Sequence, residues 1–164
     1  PPVHRWNPPF CGEIDMEIRC NGQWFYLGTP INRQPLVKLF STVLRRDDDD
    51  HYYLVTPVEK VRIRVEDAPF VATLVERHRE EEGDYLRFTM QTGDIVIADE
   101  DHPLRVDYRG EEPRPYLLVR DRLEALLSRN VYYQLVEWGQ PRTMPEGDRL
   151  VVSSAGQDFE IGCF

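Results

Sequence analysis

Glu59 and Lys60 are the residues best placed to do chemistry, an adjacent acid and base just ahead of an alternating run, Val61 to Val65. In an enzyme Glu59 would be the general base and Lys60 an electrostatic stabiliser. In a binding protein Glu59 would accept from a ribose hydroxyl or a base amine. Asp67 closes the same strand, and Arg33 stands at the start of a first helix. Arg120 and Arg129 bound a second helical stretch. Guanidinium forks suit carboxylate and phosphate groups. Trp24 and Tyr53 offer aromatic faces for stacking. The competing reading is structural: Glu59 or Asp67 pairs internally with Arg33 or Arg120, and Trp24, Tyr53 and Tyr133 fill cores.

No complete catalytic motif accompanies these residues. The chain has no GxSxG elbow, no P-loop and no GxGxxG. His4, His51, His78 and His102 are scattered, without paired ligand spacing. The run Asp47 to Asp50 fails as a calcium loop, because counting from Asp48 puts Tyr53 at the sixth position, where glycine is needed. No catalytic residue, metal or cofactor is therefore assigned.

The chain has 164 residues, 41% of them hydrophobic and 30% charged, a globular composition. Its net charge of −9 argues against general nucleic-acid binding. No apolar run reaches the ~20 residues of a membrane-spanning helix. Cys11, Cys20 and Cys163 are an odd set without CxxC spacing, so three free thiols in a reducing, cytoplasmic setting are expected. Cys20 is expected in the core. The start at Pro1 rather than methionine suggests a trimmed N-terminus.

Pro1 to Gly12 reads as an extended arm anchored by Trp6 and Phe10. Met16, Ile18 and Cys20 alternate as a first strand, Asn21-Gly22 signals a hairpin, and Trp24 to Leu27 returns. Helix one follows, with Asn32 as N-cap, Pro35 in the first turn, and a stripe of Leu36, Leu39, Phe40, Val43 and Leu44. Strands follow at His51 to Val55, at Val61 to Val65, which buries Val61, Ile63 and Val65, and at Phe70 to Val75. Glu76 to Gly83 reads as a charged connection. Tyr85 to Gln91, Ile95 to Ala98 and Leu104 to Tyr108 are further strands, and Arg109 to Pro115 a loop. Arg120 to Arg129 is read as helix two, Val131 to Trp138 as a strand and Gly139 to Asp148 as a loop. A closing hairpin turns at Ala155-Gly156. Leu39 to Val55 and Leu126 to Val136 resemble each other, each an apolar stripe, a loop, a Tyr-Tyr pair and an apolar run. An α+β fold of two small mixed domains, 1–80 and 81–164, related by an internal repeat, is expected.

Several blocks in order resemble one bacterial family. They are Gly12 to Asp15, Trp24 to Ile31, Leu39-Phe40, Leu54 to Lys60, Val65 to Phe70, Pro115-Tyr116, Val119-Arg120, Leu123 to Ala125 and, more loosely, Ser153 to Gly162. Together they are similar to domain of unknown function 1285. At the closing hairpin Ser154-Ala155-Gly156 and Asp158 depart from the family's glycine and aromatic pattern. The resemblance implies two α+β domains with a structural repeat, the second loosely like the pleckstrin-homology fold. It also implies a ligand cleft between the domains for a small anionic or nucleotide-like molecule, and a role in signalling or stress response. The expected function is a ligand-binding regulatory module, with Glu59, Lys60 and Arg120 converging between the halves. An enzyme using Glu59 and Lys60 and a protein-interaction adaptor are the alternatives.

Overall fold

The computed structural model describes residues 1–163, and the chain divides into two compact units, Pro1–Pro69 and Phe70–Phe164. The fold is α+β, with one α-helix in each unit among the described residues and a short 3-10 turn, Val3–Arg5, in the N-terminal arm. The first unit is a six-stranded sheet with a helix. Its strands are β1 (Phe10–Ile18), β2 (Trp24–Tyr26), β3 (Thr29–Pro30), β4 (Leu44–Arg46), β5 (Tyr52–Val55) and β6 (Lys60–Val65). The sheet order is β3-β2-β1-β6-β5-β4. Only the central β1–β6 pair is parallel; every other neighbour is antiparallel. Helix α1 (Gln34–Thr42) joins β3 to β4.

The second unit holds β7 (Phe70–Glu80), β8 (Gly83–Met90), β9 (Ile95–Ile97), β10 (Leu104–Arg109), β11 (Glu112–Arg120) and β12 (Leu123–Leu127). Its order is β10-β11-β12-β7-β8-β9, again with one parallel pair, β12–β7, at the centre. The two six-stranded sheets therefore follow one strand order, β7 standing where β1 stands and β12 where β6 stands. Helix α2 (Arg129–Trp138) and a three-stranded sheet of β13 (Gln140–Met144), β14 (Gly147–Ser154) and β15 (Gln157–Cys163) complete the unit.

Patterning explains most elements. In β12 Leu123, Ala125 and Leu127 are buried and alternate with half-exposed Glu124 and Leu126. That is period two, so the segment read as helix two is a strand. In α2 the buried residues are Val131, Tyr132 and Leu135, one helical face, and the Ser128 hydroxyl caps the helix by accepting from the Val131 amide at 3.3 Å. The segment read as a strand is thus a helix. Its β-branched and aromatic residues suggested otherwise, but local propensity yields to a capped, tertiary-packed face. The Tyr-Tyr resemblance dissolves with it: Tyr52 and Tyr53 lie in β5, whereas Tyr132 and Tyr133 lie in α2.

Other boundaries move for similar reasons. Glu76 to Glu80 continues β7, because Glu76 pairs with Arg87 and His78 with Tyr85 across a hairpin. The division therefore falls before Phe70 rather than after residue 80, since β7 is hydrogen-bonded to β8 and β12. β11 takes in Pro113 and Pro115, opposite Tyr108 and Val106 of β10. Gly139 to Asp148 holds β13 and the start of β14 instead of a loop. The last hairpin turns at Ala155 and Gly156, both at positive φ (51° and 77°), the geometry of a two-residue turn. Cys20 is exposed, because β1 ends at Ile18 and the chain turns there. The Glu66 carboxylate, hydrogen-bonded to the Cys20 thiol, raises the thiol's pKa, and burial adds to the effect. In the arm, Val3 is buried while Phe10 is exposed, and Arg45 donates to the carbonyls of Val3 and Trp6 at 2.8 and 2.7 Å.

Candidate functional site

The first unit's sheet has two unlike faces. Ile14, Met16, Leu54 and Val61 lie on one; Asp15, Glu17, Tyr53, Lys60, Arg62 and Arg64 fall on the other by alternation. The charged face is internally paired. Arg64 binds Asp15 at 2.7 Å and Glu17 at 3.5 Å. Lys60 Nζ meets Asp47 at 3.0 Å, and Arg45 Nε meets the same carboxyl at 2.6 Å. Burial works to raise the Asp47 pKa, but the hydrogen bonds from Arg45 and Lys60 outweigh it and hold the carboxyl below its ordinary range.

The apolar face carries the cavity. Its volume is about 480 Å³. β1 contributes Ile14 and Met16, β2 contributes Tyr26, and Ile31 follows β3. Helix α1 lays Leu36 and Phe40 over it, with Val43 at the helix end. Leu54, Thr56, Glu59 and Val61 close it from the β5–β6 hairpin. In this lining there is one carboxylate and no histidine, cysteine, lysine or arginine. A turn sets Glu59 in place: its amide donates to Thr56 Oγ1 at 3.1 Å, and its carbonyl accepts from the Thr56 amide at 2.8 Å. Among the described residues the Glu59 carboxylate has no ion pair or hydrogen bond. Beside the cavity, Leu27 is exposed at φ 52° in the two-residue turn between β2 and β3. A left-handed leucine there costs roughly 1 kcal/mol against glycine or asparagine.

Glu59 lines the cavity. Lys60 does not, because adjacent strand residues point to opposite faces; it is held by Asp47 and lies 4.6 Å from the Tyr53 ring centre. Tyr53 is buried, donating to Asp49 at 2.5 Å and accepting from Arg62 at 3.3 Å, so it is a pillar rather than a stacking platform. Trp24 is also core, stacked on Phe40 with ring centres 6.2 Å apart. Its indole N–H has no hydrogen-bond partner among the described residues. Arg33, and not Asn32, occupies the N-cap position of α1, without a capping hydrogen bond from its side chain, and it is exposed. Asp67 is half-buried in the turn after β6. Neither lines the cavity.

Arg120 and Arg129 belong to the second unit. Arg120 ends β11, with its guanidinium 5.2 Å from the Phe70 ring centre. It opens no helix, so no helix dipole acts on it. Arg129 starts α2 instead of ending a helix, and donates to Glu112 at 2.5 Å.

The apolar lining was not among the predicted site residues. The alternation of Ile14, Met16 and Ile18 and the helical spacing of Leu36, Phe40 and Val43 were the available signals. They mark buried faces but not a gap between them. Within α1, Val37 and Ser41 are the buried residues, and Leu39 is 60% exposed, so the stripe is rotated from the one expected. Among the described residues no group of three or more His, Cys, Asp and Glu could hold a metal ion. No helix among them is long and apolar enough to cross a membrane.

Comparison with known proteins follows the same division. Residues 1–68 match the N-terminal domain of DUF1285, a domain of unknown function, and residues 69–161 match the C-terminal domain of the DUF1285 proteins. A DUF1285 family protein from Silicibacter pomeroyi DSS-3, solved by crystallography at 2.50 Å, is 47% identical with a TM-score of 0.89. That match covers 99% of this chain and 87% of the other. A second, from Shewanella baltica OS155 at 1.40 Å, is 32% identical with a TM-score of 0.59, covering 74% of this chain and 90% of its own. No curated protein matches.

Proposed function

The chain belongs to the DUF1285 family, and from that premise we propose that it is a ligand-binding regulatory module whose N-terminal unit takes a small apolar or aromatic group. One observation carries the reading: an apolar cavity of about 480 Å³ whose lining holds one unpaired carboxylate, Glu59. Its volume falls in the range of small-molecule sites. A ring or hydrocarbon would displace water from Met16, Leu36 and Phe40. A donor on it, such as a base amine or ribose hydroxyl, would meet Glu59. The lining has no basic side chain, which favours a nucleoside-like or amine-bearing compound over the phosphate of a nucleotide. Binding is favoured over catalysis because Lys60, the other half of the candidate acid-base pair, is engaged by Asp47.

The test is a thermal-shift and calorimetric screen of nucleosides and aromatic amines. A ligand at a hundred times its dissociation constant adds about 2.7 kcal/mol to stability. Leu36→Trp should abolish the shift by filling the cavity. Glu59→Gln should weaken binding about tenfold or more, the loss of one charge-assisted hydrogen bond. No stabilisation by any of these compounds at millimolar concentration overturns the proposal.

A further inference from the structure

The second unit has a cavity of the opposite character. It measures about 280 Å³ and lies where the β7–β8 hairpin meets the end of α2 and the β13–β14 ribbon. Three guanidinium groups line it, Arg77 and Arg79 from β7 and Arg142 from β13, with Trp138, Gln140 and Ser153 among the other lining residues. Arg77 and Arg79 are two apart on a strand, so both face the same side.

The charges cancel only in part. Asp84 is the one carboxylate in the lining, and it reaches Arg79 only at 3.9 Å, with both side chains well exposed. Arg142 pairs with Asp158 at 3.0 Å, and Asp158 also accepts from Ser153 at 2.5 Å. Arg77 has no ion pair or hydrogen bond among the described residues. It lies over the Trp138 indole, 4.8 Å from the ring centre. With no hydrogen bond engaging it, its N–H donors remain for a ligand. A half-buried arginine without a carboxylate, beside two more arginines, is unexpected in a chain of net charge −9.

We infer that this cavity binds a small organic dianion, held by a fork from Arg77 and by Arg79 and Arg142. Phosphate monoesters and dicarboxylates share that chemistry. The volume leaves room for a few heavy atoms beyond the anionic group. The site is separate from the apolar cavity of the first unit, and either can fail alone.

The experiment is calorimetry and thermal shift on the full chain at low salt, with glycerol phosphate in one arm and succinate in the other. Binding of either at one equivalent is expected, and the arm that binds more tightly identifies the source. Arg77→Gln should weaken it about tenfold or more, and Arg77→Lys less, since lysine keeps the charge but not the fork. Arg142→Gln, at an exposed position, is the second variant. Glu59→Gln should leave dianion binding unchanged, which separates this site from the first. No binding of either dianion at about 10 mM, roughly ten times a weak dissociation constant of ~1 mM, overturns the inference. So does undiminished binding by folded Arg77→Gln and Arg142→Gln proteins.

Discussion

Lys60 shows how one residue's role depends on which side of a strand it faces. Its neighbour Glu59 lines a cavity, while its own ammonium joins Arg45 on the Asp47 carboxyl. The same Arg45 ties down the N-terminal arm through two carbonyls. Replacing Lys60 by methionine should therefore destabilise the protein at neutral pH by roughly 1–2 kcal/mol, the loss of a charge-assisted bond. The pH dependence has a definite sign. The folded-state pKa of Asp47 is depressed. Its contribution is thus full above the unfolded carboxyl value near ~4 and disappears as pH falls through the lower folded value. Thermal melts of both proteins at neutral and strongly acidic pH check this. The gap should narrow in acid, and an equal gap at both pH values contradicts the assignment.

Among the elements, β14 is held by a buried hydroxyl as well as by its ladder. Ser154 is fully buried; its Oγ accepts from the Leu86 amide at 2.8 Å and donates to the Ala98 carbonyl at 2.7 Å. One side chain thus joins the three-stranded sheet to β8 and to the end of β9. Ser154→Ala leaves a buried donor and a buried acceptor without partners, at a cost of about 1–3 kcal/mol. Denaturant unfolding should show that loss, and amide exchange should speed up at Leu86. Normal protection at Leu86 in the variant would mean that another acceptor replaces the hydroxyl. Helix α2 is tied to the same sheet by Tyr132, which donates to the Ile161 carbonyl at 2.7 Å, and burial raises the pKa of that phenol. Gly139, just after the helix, packs against Leu150: a Cβ there would stand 2.7 Å from Leu150 Cγ, so that side chain would have to shift.

At the level of the whole molecule, each unit has a core of its own. Ile18, Trp24, Leu44 and Val55 are buried in the first, and Phe70, Phe88, Leu117 and Leu135 in the second. The division at Pro69 and Phe70 falls within a residue of the boundary between the two family domains. Fragments 1–69 and 70–164 are therefore expected to give separate cooperative transitions when expressed alone. The shorter should melt lower, because a small domain buries a smaller share of its surface. Far-ultraviolet circular dichroism and calorimetry check this. A shorter fragment without secondary structure would show that its core does not suffice alone.

Local pattern carried a definite part of this fold. The strands with clean alternation, Met16 and Ile18 in β1 and Val61 to Val65 in β6, were legible, as were helix α1 and the closing hairpin at Ala155-Gly156. Each rests on spacing or turn chemistry within a few residues. What local pattern misjudged lay where two periods compete. Leu123 to Leu127 fits a helix by its leucines and a strand by its alternation, and pairing with β11 and with Phe70, Val71 and Ala72 of β7 decided for the strand. Val131 to Trp138 is rich in strand formers, and the Ser128 cap with the Tyr132 anchor decided for the helix. The shared strand order of the two sheets was likewise hidden, because it pairs β5 with β11, whose residues show no common motif. Of the candidate sites, the chain alone could nominate Glu59 as a reactive type. Only tertiary structure could separate it from Lys60, leave a gap beneath Leu36 and Phe40, and bring Arg142 of β13 beside Arg77 of β7. Those arrangements join residues distant in sequence, and a cavity is a property of what fails to fill space, which no spacing rule records.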